Sequence, residues 1–461
     1  MRTLVVVGSL LVTAAVVACG SSSTSGDQGA TPGADTPDGS TAADGGNQFP
    51  PPSSSGDGGN PGNDGGVGND GGTHPGSDGG SGNDGGGGDG GAFQIGAHPK
   101  FPLLVRGTPN AGILKAPVII PIFFPSFDHT AQVKEQLSKM GTVATYWNDA
   151  VGEYGVGAYT YGTPVDLTEA APTSISQQGI VTWLTGKLNG SHPEFGTPTA
   201  ETMYVIYYPK TTNLSGSCSD PAQNGVGYGG YHDALQTGAG VTVAYGVIAE
   251  CDNFGPTITN SLDMVTVAGS HEIIEAVTDT SPGDGYATID QMPLDVFLQG
   301  NEENGDLCAV NHAFWRPGGT YPYLLSRGWS NKAAAAGNLD PCQPALPDQP
   351  FIGAAPVMPE TVNVTGSGSG PGITIAVGQS KTVDVQLWST GPTAPFKVAA
   401  KQHTGDTTLS FAWDKTMGVN GDVLKLTITV NKAGQGKTEA FVVTADINGE
   451  HTPIWAGVVK N

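Results

Sequence analysis

The run Gly269-Ser270-His271-Glu272-Ile273-Ile274-Glu275-Ala276-Val277-Thr278-Asp279 places one imidazole and three carboxylates within eleven residues. On a helix, at about 100° per residue, His271 and Glu275 lie about 40° apart on one face. Met264, Val267 and Thr278 share that face, and Leu262, Val265, Ile273 and Val277 occupy the opposite side. Such a helix is apolar nearly all round and is expected to be buried. A histidine and two glutamates there must be paired, neutralised or bound to a metal. Donors at i and i+4 reach one ion, so His271 and Glu275 are the candidate ligands. Glu272 points beside the ion and is the candidate catalytic base, taking a proton from a water that the ion acidifies. Asp279 is placed to hold the imidazole from behind. A second acidic cluster follows at Asn301-Glu302-Glu303-Asn304-Gly305-Asp306-Leu307-Cys308. Tyr286, Tyr321, Tyr323, His312 and His232 are candidate donors to an oxyanion, and position distinguishes none of them.

The spacing resembles the His-Glu-x-x-His motif of zinc peptidases, in which the Glu is the general base. Here Glu275 replaces the second histidine. A carboxylate still binds zinc, at about 2.0–2.2 Å, but carboxylates soften the preference for zinc over harder ions, so calcium is the alternative. In peptidases resembling thermolysin the third ligand is a Glu from a downstream Glu-x-x-x-Asp segment, a spacing that Glu302 and Asp306 match. A closer resemblance is to exported bacterial and fungal proteins with His-Glu-x-x-Glu-Ala-x-Thr-Asp followed by Glu-x-Gly-Asp-x-Cys. Plant phosphate-induced (EXORDIUM-like) proteins look like distant members. The shared features are the strand Val118–Phe124, Tyr146-Trp147, the region from Cys218 through Tyr231-His232 to Cys251, and the His271 helix. The resemblance covers roughly residues 110–345 and implies a zincin-like fold. It also implies Glu303 as third ligand, with Asp306 beside it and Glu302 the next choice.

Several elements must position these groups. Ala116–Phe124 reads as a short apolar strand whose prolines suit an edge or a bend. A helix capped by Asp128 runs through about Val151, with Val133, Leu137, Met140 and Val143 at helical spacing. Ser174–Leu188 reads as a second helix, and Ser261–Asp279 as the third. Met203–Tyr208 and Val241–Ile248 are strands rich in β-branched and aromatic residues. Gly269 costs about 1 kcal/mol relative to Ala inside a helix, so its helix is expected to approach a strand closely. The pattern from 93 to 345 is α/β or α+β. Residues 346–358 read as a linker. From 359 to 461 the pattern is all strand: Val383, Val385 and Leu387 alternate, as do Leu424, Leu426, Ile428 and Val430. About seven short strands in such a length indicate an immunoglobulin-like or fibronectin-like sandwich. This part has no catalytic cluster and reads as a binding or spacer module.

The 461 residues include 71 Gly and 34 Pro, and from Gly20 to about Gly91 almost everything is Gly, Ser, Asp, Asn, Thr or Pro. That segment cannot bury enough apolar surface to offset its chain entropy. Residues 19–92 are therefore expected to form a disordered tether. It repeats Gly-Asn-Asp-Gly-Gly at Gly62, Gly68 and Gly82, with Val67 the lone apolar residue nearby, which suits a spacer and not a calcium-binding β-roll. The net charge of −23 excludes a generic nucleic-acid binder. The Gly-rich segment carries ten Asp and no Lys, Arg or Glu, so nearly half of that charge solubilises the tether.

Arg2 followed by the apolar run Leu4–Ala18 is an export signal, too short to span a bilayer comfortably. Ending on Ala18-Cys19, it resembles a bacterial lipoprotein lipobox, which implies cleavage after residue 18 and acylation of Cys19. Gly20 after the Cys favours an outer membrane. The other four cysteines are even in number in an exported chain. Pairing Cys218 with Cys251 and Cys308 with Cys342 brackets one loop-rich segment each.

These readings combine into a lipid-anchored surface protein in which a spacer carries a zincin-like domain and a terminal β-sandwich. The expected chemistry is zinc-dependent hydrolysis of protein or peptide substrates, with zinc on His271, Glu275 and Glu303 and Glu272 as base. The alternative is a non-catalytic binding or adhesion protein on the same scaffold, whose acids are structural or hold calcium.

Overall fold

A computed structural model describes residues 93–460 apart from 109–111, 144, 215, 219–227, 253–257, 288–302, 309–313, 347, 365–367, 403–407, 433–437, 448–449 and 452–454. The signal, Cys19, the tether, Glu302 and His312 lie outside the described residues. Among those described, no helix is long and apolar enough to cross a membrane.

The first half is built on a mixed sheet. Its strands are β1 (Val118–Phe123), β2 (Thr160–Tyr161), β3 (Val165–Asp166), β4 (Thr202–Tyr208), β5 (Gly230–Gln236) and β6 (Thr242–Ala249). The order is β2-β1-β4-β6-β5, with β3 also on β1. All pairs are parallel except β5–β6. Every residue of β4 is buried, and so is all of β6 after Thr242, as expected of strands covered on both faces. Pro121 is tolerated inside β1 for a local reason. Val118 N–H donates toward β4, to Glu201 O, so alternation turns the Pro121 nitrogen to the other side. There it meets the gap between the two short strands β2 and β3, where no ladder bond is required.

The helix expected over 128–151 is two helices, α1 (Thr130–Met140) and α2 (Tyr146–Val151). Gly141, a poor helix former, ends the first. The cap position is His129 and not Asp128, and no side chain caps it. The apolar stripe holds: Val133, Leu137, Met140 and Val143 are all buried. α3 (Gln177–Lys187) begins one residue after its cap Ser176. α4 (Ser261–Thr278) is capped by Asn260, whose side chain accepts from Asp263 N–H, and is buried continuously from Met264 to Thr278. It lies across β5 and β6. A Cβ on Gly269 would stand 2.5 Å from Tyr207 Oη on β4, which is the close strand approach its glycine implies. Both expected disulfides are present, Cys218–Cys251 and Cys308–Cys342.

The second half is all β. The stretch read as a linker contains a strand, β7 (Ile352–Val357), so the all-β part begins earlier than residue 359. β7 joins β8 (Ser380–Ser389), β9 (Leu409–Trp413) and β10 (Val423–Val430) in a four-stranded sheet of order β7-β8-β10-β9. The remaining strands form a seven-stranded sheet. The alternating residues face a common core: Val383, Val385, Leu387, Leu424, Leu426, Ile428 and Val430, with Phe441 and Val443 from the other sheet. A smaller cluster joins the two halves. It unites Phe101, Leu307, Cys308, Trp329 and Cys342 with Phe351 and Trp388.

Candidate metal centre

The cluster is assembled on α4 from three directions. His271, Glu272 and Glu275 come from the helix. His232 comes from β5, the antiparallel edge strand, at the register position opposite Gly246 of β6. Gly230 makes room for Glu272, because a Cβ there would stand 2.8 Å from its Cγ. Glu303 and Asp306 come from the turn that leads into Asp306–Cys308, and the Cys308–Cys342 disulfide anchors that turn. Gly305 is required there, because a Cβ would meet His271 Nδ1 at 2.6 Å and Glu275 Oε1 at 2.8 Å.

Two sets of ligand atoms have all their members within 4.8 Å of one another: His271, Glu275, Asp306 and His232, Glu272, Glu275. In the first, His271 Nε2 lies 3.0 Å from Glu275 Oε1 and 3.5 Å from Asp306 Oδ1. In the second, His232 Nδ1 lies 3.2 Å from Glu272 Oε2 and 3.7 Å from Glu275 Oε2. Ligands about 2.0–2.2 Å from a tetrahedral ion stand about 3.3–3.6 Å apart, and these separations of 3.0–3.7 Å straddle that range. Glu303, expected as third ligand, falls outside both. Its Oε1 lies 3.7 Å from His232 Nε2, and its carboxyl shares a hydrogen bond with Asp279. Asp306 takes the expected place because the turn directs it back onto the helix, where its own N–H donates to Glu275 Oε1 at 3.1 Å.

Asp279 does not hold the His271 imidazole. It sits about 12 Å further along the helix. Its carboxylate accepts from Gly283 and Gly285 N–H, at 2.8 and 2.7 Å, and its backbone carbonyl accepts from His232 Nε2 at 2.9 Å. His271 is instead held by Ser326, whose Oγ is 3.1 Å from Nδ1. Ser326 N–H donates to Ser270 Oγ, and its carbonyl accepts from Tyr146 Oη. Neither Ser326 nor the ligand position of His232 follows from sequence spacing. The tyrosines considered as oxyanion donors are engaged elsewhere: Tyr321 bonds Gln136 O, Tyr323 bonds Glu135, and Tyr286 packs on Tyr154.

The cluster is dry. His232, His271, Glu272, Glu275 and Glu303 are buried, and the Asp306 side chain, at 17% exposure, is the member that reaches solvent. Burial pushes Glu275 up to about 7, against the pull of His271 and with help from Asp306. Burial likewise holds Glu303 and Asp279 above the usual carboxylate range. For His232 burial acts downward, but Glu303, Glu272 and Glu275 outweigh it and hold the imidazole well above its ordinary range. Glu275 Oε2 and Glu303 Oε1 are buried without a hydrogen-bond partner. Orphaned carboxylate oxygens beside imidazoles are the donor set a cation fills, so the residues present fit a metal.

No family model and no curated protein matches this chain. Among solved structures it is similar to domains 4 and 5 of the S-layer protein SbsC, at 15% identity over 23% of this chain and 54% of that one, with a TM-score of 0.15. A Bacteroides ovatus xyloglucanase in complex with a heptasaccharide is 17% identical over 19% of this chain and 17% of that one, at 0.14. A conjugative transposon lipoprotein from Bacteroides eggerthii is 12% identical over 25% of this chain and its whole length, at 0.16. The chain thus spans about half of the SbsC fragment. Nothing about the site follows from likenesses of this size.

Proposed function

We propose that the protein is an exported, surface-anchored metal-dependent peptidase with a zincin-like catalytic domain and a terminal immunoglobulin-like module. The observation that carries this reading is the set His271, Glu275 and Asp306 at zinc-ligand spacing on a buried helix, with Glu272 next to His271 in the sequence. The chemistry a divalent transition ion supplies in such a place is polarisation of a carbonyl and acidification of water. The imidazole in the set favours a transition ion over calcium, which takes oxygen ligands.

The chain's own residues do the rest. His271 offers Nε2 to the ion because Ser326 occupies Nδ1. Glu275 and Asp306 supply the anionic ligands, and the exposed side of Asp306 is where water and substrate enter. Glu272, held by His232 at 3.2 Å, accepts the proton of the attacking water and returns it to the leaving amine. The Cys19 anchor and the Gly/Asp-rich tether hold this domain away from the membrane, which suits a protein substrate.

The test is elemental analysis of the purified chain after zinc reconstitution, with hydrolysis of unfolded protein substrates as second readout. Zinc that is lost in His271→Ala, together with activity that is lost in Glu272→Gln, is the expected result. A chain that takes up no transition metal removes the peptidase reading and leaves a tethered binding protein whose buried acids share protons.

A further inference from the structure

We infer that this centre holds two divalent transition ions bridged by the Glu275 carboxylate: the first on His271, Glu275 Oε1 and Asp306, the second on His232 Nδ1, Glu272 Oε2 and Glu275 Oε2. The inference rests on the reading of the cluster as a metal centre and deepens it.

The two ligand sets use opposite oxygens of one carboxylate. Oε1 faces His271 and the Asp306 turn, and Oε2 faces His232 and Glu272. A carboxylate shared in this way is the usual bridge of two-metal sites, whose ions stand about 3.5–4 Å apart. A single ion leaves one of the two oxygens without a counterpart, and Oε2 is the one with no hydrogen-bond partner.

The histidines are prepared alike. Metal-bound imidazoles donate their other ring N–H to a carbonyl, carboxylate or water, which fixes the tautomer. His232 Nε2 is 2.9 Å from the Asp279 carbonyl, a group that can only accept, so Nε2 carries the hydrogen. Nδ1 then faces two carboxylate oxygens, and in the metal-loaded form this nitrogen gives up its proton and offers a lone pair beside them. His271 shows the same pattern, with Nδ1 on Ser326 Oγ and Nε2 toward Glu275 and Asp306. Ser326 Oγ has the Arg327 carbonyl to donate to, at 3.4 Å, and so can accept from the ring.

Charge points the same way. Glu272, Glu275, Glu303 and Asp306 carry four negative charges when ionised, in a region nearly closed to water. One dication cancels half of them and two cancel all, which removes the cost of isolated buried carboxylates. Glu272 thereby gains a second task, as a ligand through Oε2.

The experiment is zinc stoichiometry on the full chain, stripped with chelator and re-equilibrated with zinc in equilibrium dialysis, followed by manganese loading and electron paramagnetic resonance. The wild-type chain is measured first, so the decisive number requires no variant to fold. Two zinc ions per chain are expected, with a spin-coupled signal from the dimanganese form. His232→Ala and Glu272→Gln, checked for folding by circular dichroism, are expected to retain one ion with an uncoupled signal. One zinc per chain in the wild type overturns the second position and leaves the peptidase reading standing. No zinc overturns both. Two ions of which neither is lost in folded His232→Ala or Glu272→Gln also overturn the inference, because the second ion then lies elsewhere.

Discussion

Glu275 is the residue on which the centre turns, because each of its oxygens faces a different imidazole. His271, Glu272, His232, Glu303 and Asp306 surround it, and with a folded-state pKa of about 7 it keeps a proton that the unfolded chain releases near its ordinary 4.5. Between those values the folded state binds more protons, so metal-free stability falls as pH rises. His232 acts in the same direction: its raised pKa contributes stability that is fully present below the unfolded value and is lost as pH rises through the folded one. The carboxylates with lowered pKa, such as Glu135, Glu169 and Glu360, lie in exposed pairs and lose their contribution only in more acidic solution. The chelator-treated chain is therefore expected to melt at higher temperature at pH 5 than at pH 8, by an amount equivalent to on the order of 1–3 kcal/mol. Glu275→Gln is expected to flatten this slope. Thermal melts followed by circular dichroism check it, and a melting temperature that rises from pH 5 to pH 8 contradicts it. Zinc bound at the proposed site would compete with these protons, so its stabilising effect is expected to be larger at pH 8 than at pH 6.

Two glycines show how closely the elements around the site approach. Gly269 on α4 faces Tyr207 Oη of β4, and that hydroxyl is buried without a hydrogen-bond partner. Gly269→Ala gains about 1 kcal/mol of helix propensity but drives a methyl into the hydroxyl, and overpacking of this kind costs about 1–3 kcal/mol. The single variant is expected to be destabilised. In a Tyr207→Phe background the same substitution is expected to stabilise, and urea denaturation of the four chains measures the change of sign. Gly305→Ala has no such rescue, since its Cβ meets His271 and Glu275 together. It is expected to lower both stability and zinc content, and a variant that keeps full zinc occupancy contradicts the close approach of the turn. The first of these glycines was legible in the sequence, because a glycine inside an otherwise strong helical pattern implies a neighbour. The identity of that neighbour was not, since it depends on how α4 crosses the sheet.

The all-β half also bears on the site across the whole molecule. Trp388 of β8 is fully buried and stacks on His98, in the same cluster as Phe101, Trp329, Phe351, Leu307 and the Cys308–Cys342 disulfide. The turn that carries Glu303 and Asp306 therefore rests on residues from both halves. Trp388→Ala is expected to cost about 3–5 kcal/mol and to weaken zinc retention. Chelator competition on the folded variant separates the two effects. Unchanged retention would mean that the aromatic cluster does not hold the turn.

The local features were legible because their causes are local. The buried helix, its i, i+4 pair, the disulfides closing segments of 33 and 34 residues, and the alternation of the all-β half all follow from periodicity or short separations. The full set of side chains gathered around Glu275 was not. His232 reaches Glu272 only through the antiparallel register of β5 on β6, which sets it opposite Gly246, and no spacing along the chain encodes that register. That Asp306 and not Glu303 lies within reach of His271 and Glu275 was decided by a turn pinned to a distant cysteine and packed on an aromatic cluster from the other half of the molecule. Side-chain chemistry and helical period are properties of neighbours in sequence. Which carboxylate oxygen faces which imidazole depends on long-range packing, and only the folded chain determines it.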